Sequence, residues 1–402
     1  MRALKDKDLV LGITGGIAAY KSANLARSLI QAGARVTVMM SQAATRFVAP
    51  LTFEALTGRP CLTDESLFGQ GAAITHVEVA RDTDGLVIAP ATANTIAKMS
   101  KGFADTLLTT TVLASTGPVL VVPSMHTAMW ENELTQANLQ GLPGRFRVMA
   151  PDSGELASGD HGPGRFPDVD DITLEVAGMV SEQDLAGRRV VVTGGPTREQ
   201  LDPVRVLTNP SSGRMGIAMA KAAQVRGASV RLVLGPTDRP EPRPLSGRTL
   251  EVVRVDTAQE MLEAVEAGLD GMDALLMAAA VADERPVAAS DDKIRKKDLP
   301  DSLQLEPTPD ILLTLRDRLS DAVVLGFAAE TGDLEPPGRK KLEAKGLDLL
   351  FANPVGDGRG FAVAHNEGVI LGRDGTTVTV DPLSKDDLAD LLLDRVVALL
   401  SP

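Results

Sequence analysis

LVLGITGGIAAYK (residues 9–21) and RVVVTGGPTRE (residues 189–199) read alike. An apolar run ends in Thr14-Gly15-Gly16 in the first and in Thr193-Gly194-Gly195 in the second. A helix-like stretch follows each, and then a glycine-led apolar run, GARVTVMM (33–40) and GASVRLVLG (227–235). Strand, glycine turn, helix, strand is how a doubly wound α/β domain begins. Meeting that order twice predicts an α/β protein of two Rossmann-like three-layer domains, residues 1–187 and 188–402. ITLEVAGMV (172–180) reads as the last helix of the first, and SEQDLAGRR (181–189) as a polar connector.

Working outward, short apolar runs at residues 86–89 and 119–122 each end in Pro and a polar loop. Buried parallel strands have this form, and ligands of such folds sit beyond the strands' carboxyl ends. Similar runs at 274–278, 323–327 and 347–351 supply the second domain, and GVILGRDGTTVTV (368–380) reads as an antiparallel hairpin. Residues 236–248, rich in Pro and Arg, read as a surface loop. Residues 284–309, polar and interrupted by Pro, are either a disordered excursion or a lid.

The composition excludes several classes. A net charge of −13 repels phosphate backbones, so no nucleic-acid partner is expected, and a phosphorylated ligand must be held by local cations or backbone N–H groups. The single cysteine, Cys61, allows no intrachain disulfide, which fits a reducing compartment. With no signal-peptide pattern and no apolar run long enough to span a bilayer, a cytoplasmic protein without a membrane partner is expected.

Small residues at the Gly15-Gly16 turn leave backbone N–H groups free to cradle a phosphate, or simply permit tight packing. An NAD site would want an acid at the end of the second strand, where Met39-Met40-Ser41 stands instead. Thr92 and Asn94, in APATANT (89–95), either hydrogen-bond a flat polar ring or cap a helix. His76 stands in the apolar stretch ITHVEVAR (74–81), where an isolated histidine is usually structural.

Together, GITGGIAAYK (12–21), THVEVAR (75–81), APATANTIAKMSKGFADTLLTT (89–110), PSMHTAMW (123–130) and GELASGDHGPGR (154–165) resemble the phosphopantothenoylcysteine decarboxylase family of flavoproteins. The resemblance implies a flavodoxin-like flavoprotein domain holding FMN between subunits of a trimer. It places Gly15 and Ser41 at the FMN phosphate, Thr92 and Asn94 at the cofactor, and His76 at the substrate. Two positions depart from the family pattern. His126 replaces the Asn that contacts the substrate carboxylate, and Ser158 replaces the Cys that protonates the enethiolate. A thiol titrates near ~8.5 whereas a serine hydroxyl is a far weaker acid. One hypothesis therefore makes His126 the proton source with Ser158 positioning it.

In the second half, a polar loop carrying Asp202, Arg205 and Asn209 precedes SSGRMG (211–216), a helix start rich in small residues that suits a phosphate or carboxylate. Small residues also end the run at 277–283, followed by Asp283, which can bind an amino group or a metal-bound water. KIRKK (293–297) is either a solvated loop or a triphosphate clamp, and Lys340, Lys341 and Lys345 form a second cluster in which Lys341 and Lys345 share a helix face.

VRVLTNPSSGRMG, AAAVADERP, KIRKK, TPDIL, GFAAET and LDLLFAN together resemble the phosphopantothenate–cysteine ligase family. This implies CTP as co-substrate, a divalent metal, Mg²⁺, with Asp283 as a possible ligand, and an acyl-cytidylate opened by cysteine. It places CTP at Met277, Ala278, Ala279, Asp283, Lys293, Thr308, Pro309, Asp310, Ile311, Phe327, Lys341 and Lys345, with Asn209 at the intermediate and Arg205 near the substrate. Arg214 stands where the family commonly has Lys, and Pro354 where it often has Asp. The two resemblances in this order imply a bifunctional enzyme of coenzyme A synthesis acting on phosphopantothenate, cysteine and CTP. They also imply a homo-oligomer, a dodecamer satisfying trimer and dimer symmetry. The alternative is an active ligase fused to a flavin-binding domain whose decarboxylase is lost or altered.

Overall fold

The structure is a computed structural model that describes residues 2–67, 75–298, 301–356, 360 and 363–400. The chain forms two compact units, Met1–Glu182 and Gln183–Pro402.

In the first unit the elements run β1 (Asp8–Ile13), α1 (Lys21–Gln31), β2 (Arg35–Met40), α2 (Pro50–Thr57), β3 (Leu62–Thr63), α3 (Thr75–Asp82), β4 (Gly85–Ala91), α4 (Ala93–Lys101), α5 (Leu107–Ala114), β5 (Val119–Pro123), α6 (Thr127–Trp130), α7 (Glu133–Gln140), β6 (Phe146–Val148), β7 (Asp152–Glu155), β8 (His161–Arg165) and α8 (Val169–Val180). Strands pair in the order β3-β2-β1-β4-β5-β6, all parallel, while β7 and β8 form a separate antiparallel hairpin. β4 and β5 are buried along their whole length, as a sheet covered on both faces requires. Helix starts follow local chemistry. Thr92 Oγ1 caps α4, Thr106 and Thr109 form a capping box on α5, and Asp168 caps α8.

The second unit runs β9 (Arg189–Gly194), β10 (Arg198–Gln200), β11 (Val206–Thr208), α9 (Arg214–Val225), β12 (Ser229–Leu234), β13 (Leu250–Arg254), α10 (Ala258–Glu266), β14 (Ala274–Met277), β15 (Glu284–Pro286), β16 (Leu305–Pro307), α11 (Ile311–Leu315), β17 (Val323–Glu330), α12 (Glu335–Lys345), β18 (Leu349–Pro354), β19 (His365–Gly372), β20 (Thr377–Ser384) and α13 (Lys385–Leu400). Its sheet order is β13-β12-β9-β14-β17-β18-β19-β20, parallel from β13 to β18 and closed by the expected antiparallel pair. One apolar cluster packs α9 and α13 on the sheet, and a second packs α10, α11 and α12. Gly216 lets α9 approach β9: a Cβ there would lie 2.5 Å from the Gly194 Cα. Leu185 is buried in this unit and Asp184 pairs with Arg226, so the polar connector carries an anchor of the second unit.

Two segments have more structure than their sequences signal. The polar loop after β9 contains the antiparallel pair β10–β11, and the excursion at 284–309 is stemmed by the ribbon β15–β16. Residues 236–248 form a loop, as expected.

Candidate active sites

In the first unit β1 has β2 on one side and β4 on the other, so the loops leaving these three strands meet at the sheet's carboxyl end. Doubly wound sheets bind ligands at such a reversal of strand order. Gly15 packs on the second loop, where a Cβ would lie 2.3 Å from the Ala43 Cβ. Thr14 Oγ1 donates to the Pro90 carbonyl (2.7 Å) and accepts from Thr92 N–H (2.9 Å), tying the first loop to the third. Gly16 begins a 3-10 turn, Ile17–Tyr20, with no side-chain cap, which leaves N–H groups there for an anion. Gly15, Ser41 and Thr92 therefore stand on neighbouring loops, with Asn94 in the first turn of α4; Asn94 is exposed and Ser41 partly so. The cradle fits a flavin phosphate.

His76 lies in the first turn of α3, and its Nδ1 is buried without a hydrogen-bond partner among the described residues. On the loop after β5, His126 caps α6. Its Nδ1 accepts from Ala128 N–H (3.1 Å), so its hydrogen is assigned to Nε2, which donates to Asp160 Oδ2 (2.8 Å). Ser158 Oγ donates to the same oxygen (2.9 Å). Met125 N–H and Thr127 Oγ1 bond the carbonyls of Gly164 and Pro163, which docks the β7–β8 hairpin against this loop. The hydrogen bonds from His126 and then Ser158 hold the Asp160 carboxyl below the usual carboxylate range.

The expected proton source, His126, sits within this network. Both ring nitrogens are engaged, one as acceptor and one as donor, the pattern an asparagine amide presents. Protonating Nδ1 would remove the α6 cap. Burial, and then Glu54, push the Cys61 thiol up to about 11, which makes it a weaker acid than a free thiol. Asp160 was not singled out from sequence, although it stands two residues after Ser158.

In the second unit a cavity of about 500 Å³ opens at the carboxyl ends of β9, β14 and β17. Small-molecule sites typically enclose ~300–1,000 Å³. The loop after β14 forms one wall. It is strapped down by Asn209 Nδ2 donating to the Ala280 and Val281 carbonyls (3.3 and 3.1 Å), by Ala279 N–H to Thr193 Oγ1 (3.1 Å) and by Ala282 N–H to Thr197 Oγ1 (2.9 Å). Met277, Ala278, Ala279, Asp283, Thr308, Pro309, Asp310, Ile311, Phe327, Lys341, Lys345 and Asn209 all line it. Phe327 meets Phe351 edge to face at 5.9 Å. Lys345 pairs with Asp310 (2.9 Å). Burial, and then Lys345, pull the Lys341 ammonium below its ordinary value, against Glu330, Asp283 and Asp310. A cation disfavoured in this way gains from an arriving phosphate.

Two residues predicted from sequence are not part of that lining. Lys293 is exposed in the loop beyond the β15–β16 ribbon, because the KIRKK run is held by its backbone: the Ile294 carbonyl accepts from Arg205 Nη1 (3.2 Å). Arg205 itself pairs with buried Asp202 (2.8 Å). Backbone N–H groups of Val204, Arg205 and Ile294 hold the Asp202 carboxyl low although burial opposes this. Among the described residues no group of three His, Cys, Asp or Glu could hold a metal, so a Mg²⁺ here would rely on nucleotide phosphates with Asp283. Sequence reasoning missed Asn353, Asn366 and Lys385, which also line the cavity.

Fold and sites define a class: a flavoprotein domain joined to a second doubly wound domain with a nucleotide-sized cavity. Residues 1–181 match the Flavoprotein family, and residues 185–400 match the DNA/pantothenate metabolism flavoprotein C-terminal domain. The chain belongs to the coenzyme A biosynthesis bifunctional protein (CoaBC) family. It is 40% identical to that protein of Bacillus subtilis, covering 98% of each chain, and 40% identical to that of Mycobacterium tuberculosis, covering 98% of this chain and 97% of the relative. The Vibrio vulnificus relative is 42% identical over 91% of each. A crystal structure of the C-terminal domain of a CoaBC protein is 36% identical, with a TM-score of 0.46, covering 55% of this chain and 98% of that one. The family pairs a phosphopantothenoylcysteine decarboxylase with a phosphopantothenate–cysteine ligase, and full-length similarity favours that bifunctional reading over a flavin-binding module without decarboxylase activity.

Proposed function

We propose that the second unit uses CTP to join 4'-phosphopantothenate to L-cysteine through an acyl-cytidylate, and that the first unit then decarboxylates the adduct with FMN to give 4'-phosphopantetheine. The observation that carries the ligase reading is the cavity at the end of β9, β14 and β17, with Lys341 and Lys345 on its wall. Nucleotidyl transfer needs positioning and charge neutralisation more than covalent chemistry from the protein. Lys341 and Lys345 supply positive charge. The alanines at 278–280 leave room for a base or ribose, and Asn209 stands on the same wall at the carbonyls it already holds. Asp283, on the cavity wall, serves a Mg²⁺ carried in with the phosphates.

In the first unit, FMN supplies a reversible hydride acceptor, which lets the cysteine thiol become an electron sink for loss of carbon dioxide. Gly15 and the free N–H groups of Gly16's turn hold the cofactor phosphate, with Ser41, Thr92 and Asn94 around it. His76 meets substrate through its unpartnered Nδ1. His126 acts as a neutral donor that positions the substrate carboxylate, and Asp160 orients both His126 and Ser158. Exposed apolar side chains near these loops, among them Ile17, Tyr20 and Phe47, support self-association, which we take to be a homo-oligomer built from trimers and dimers in the cytoplasm.

The ligase reading is tested by isotope exchange between pyrophosphate and CTP in the pure protein. Exchange that requires phosphopantothenate and proceeds without cysteine is expected from an acyl-cytidylate. Exchange driven equally by ATP, or none at all, would contradict it.

A further inference from the structure

Asp202 is only 1% exposed, and its two carboxylate oxygens have different partners. Oδ1 accepts from the backbone N–H groups of Val204 and Arg205 (2.8 Å each), which closes a local turn. Oδ2 accepts from Arg205 Nη1 (2.8 Å) and, far along the chain, from Ile294 N–H (3.3 Å). Arg205 Nη1 also donates to the Ile294 carbonyl (3.2 Å), and Ser290 N–H donates to the Leu201 carbonyl (3.0 Å). The backbone on both sides of Lys293 is thus pinned to residues 201–205.

Both pinned segments run into the ligase cavity. From Arg205, β11 leads to Asn209 on the cavity wall. The β15–β16 ribbon, whose far loop carries Lys293, stands on Asp283 and Thr308 of the same wall, where Thr308 N–H donates to the Asp283 carbonyl (3.0 Å). Lys293, Arg295, Lys296 and Lys297 are exposed in that loop. Like charges this close repel one another and extend a free loop. A buried carboxylate is costly unless its bonds compensate it, and the local turn needs only one neutral acceptor. What the second, charged oxygen adds is the tie to the basic loop.

We propose that Asp202 is a positioning residue of the ligase. Through Oδ2 it keeps the basic loop beside the segment that ends at Asn209, so that Lys293 meets the phosphates of the nucleotide co-substrate as they extend from the cavity. This rests on the ligase reading.

The test uses the full chain and its Asp202→Asn variant. Asparagine keeps an acceptor for Val204 and Arg205 N–H but turns an N–H₂ group towards Arg205 Nη1 and Ile294 N–H, so the long tie alone is cut. The Kd for CTP with Mg²⁺ should rise about 10-fold, the loss of one charge-assisted contact, while the KM for cysteine stays within about twofold. A merely structural carboxylate would affect both alike. Lys293→Met should weaken CTP to a similar extent, and the double variant should be weaker than either single one by no more than about twofold. Losses that multiply in the double variant would show that Asp202 does not act through the loop and would overturn the proposal. So would an unchanged Kd for CTP in Asp202→Asn, or equal losses for CTP and cysteine. If Asp202→Asn does not fold, Asp202→Ser, whose hydroxyl can keep the turn but is too short for Ile294, must show the CTP-selective loss for the proposal to stand. Should wild type bind CTP but release no pyrophosphate, with binding still weakened through Asp202 and Lys293, the tie survives and the ligase reading fails. Pyrophosphate release by wild type, with CTP affinity indifferent to Asp202, would leave the ligase reading standing and sink the proposal.

Discussion

The two sites use the same position in the same kind of sheet, yet they are built differently. In the second unit segments far apart in sequence, from Asn209 to Lys385, wall the cavity, and its lysines are wholly or partly buried. In the first unit the candidate residues lie nearer the surface: Asn94 is exposed, and the His126 side chain is 41% exposed. An enclosed site can hold charge in a low dielectric and let a phosphate neutralise it. A more open one must rely on hydrogen-bond geometry, and the first unit accordingly offers a carboxylate, Asp160, that fixes His126 and Ser158 at once.

This contrast can be broken most sharply at Lys341. Replacing it with Met should lower kcat/KM for CTP by ~10²–10³-fold, as expected for losing a charged group that stabilises a developing phosphate. Decarboxylation of supplied phosphopantothenoylcysteine should be unaffected. Pyrophosphate release by pure protein, measured beside carbon dioxide release, checks both.

At the open site, Asp160→Asn should cost the decarboxylase about 10- to 100-fold, the value of hydrogen bonds to a charged group. His126→Asn should stay within about threefold, because it restores the same acceptor and donor. A pH–rate profile with the same limbs in His126→Asn and wild type would support a neutral donor. Loss of a limb in the variant would return His126 to the role of acid.

Gly216→Ala sharpens the comparison through packing. The added methyl meets the backbone of Gly194, so the second unit should lose ~1–3 kcal/mol. Denaturant melts should show that loss while flavin binding persists.

A smaller effect concerns pH. The Lys385 ammonium is lowered to about 8 in the fold from its ordinary value of 10.5, so the unfolded chain binds this proton more tightly. Its destabilising contribution is full below about 8 and is relieved as pH rises from there towards 10.5. The difference in melting temperature between wild type and Lys385→Met should therefore change across that window. Least of all, Cys61→Ala should leave decarboxylation unaltered, because Cys61 takes no part in the His126–Asp160–Ser158 network.

Much of the fold was legible because apolar runs of strand length, each ended by glycine or proline, are local signals: β1, β2, β4, β5, β9, β12, β14, β17 and the hairpin β19–β20 all fall where those runs stand. The pairs β10–β11 and β15–β16 were not legible. Each has three-residue strands, too short to show alternation, and pairing across a loop rather than composition defines them. The cavity residues that sit at strand ends, such as Ala278 and Phe327, were readable from the strands. Lys385 was not, since one lysine at the start of an ordinary helix carries no signal until α13 folds back beside α9. Lys293 is the reverse case: its run of charge is conspicuous in sequence, but in the structure it is exposed and outside the cavity lining, beside an Ile294 whose backbone bonds Arg205 and Asp202.

The central claim is that both sites act in sequence on one substrate, and it can be tested in one reaction. Wild-type protein is incubated with phosphopantothenate, CTP and cysteine labelled with carbon-13 in its carboxylate, and products are followed by mass spectrometry. Labelled carbon dioxide and unlabelled phosphopantetheine, each formed in step with CMP, are the expected result. Accumulation of the labelled cysteine adduct with no labelled carbon dioxide would contradict the account.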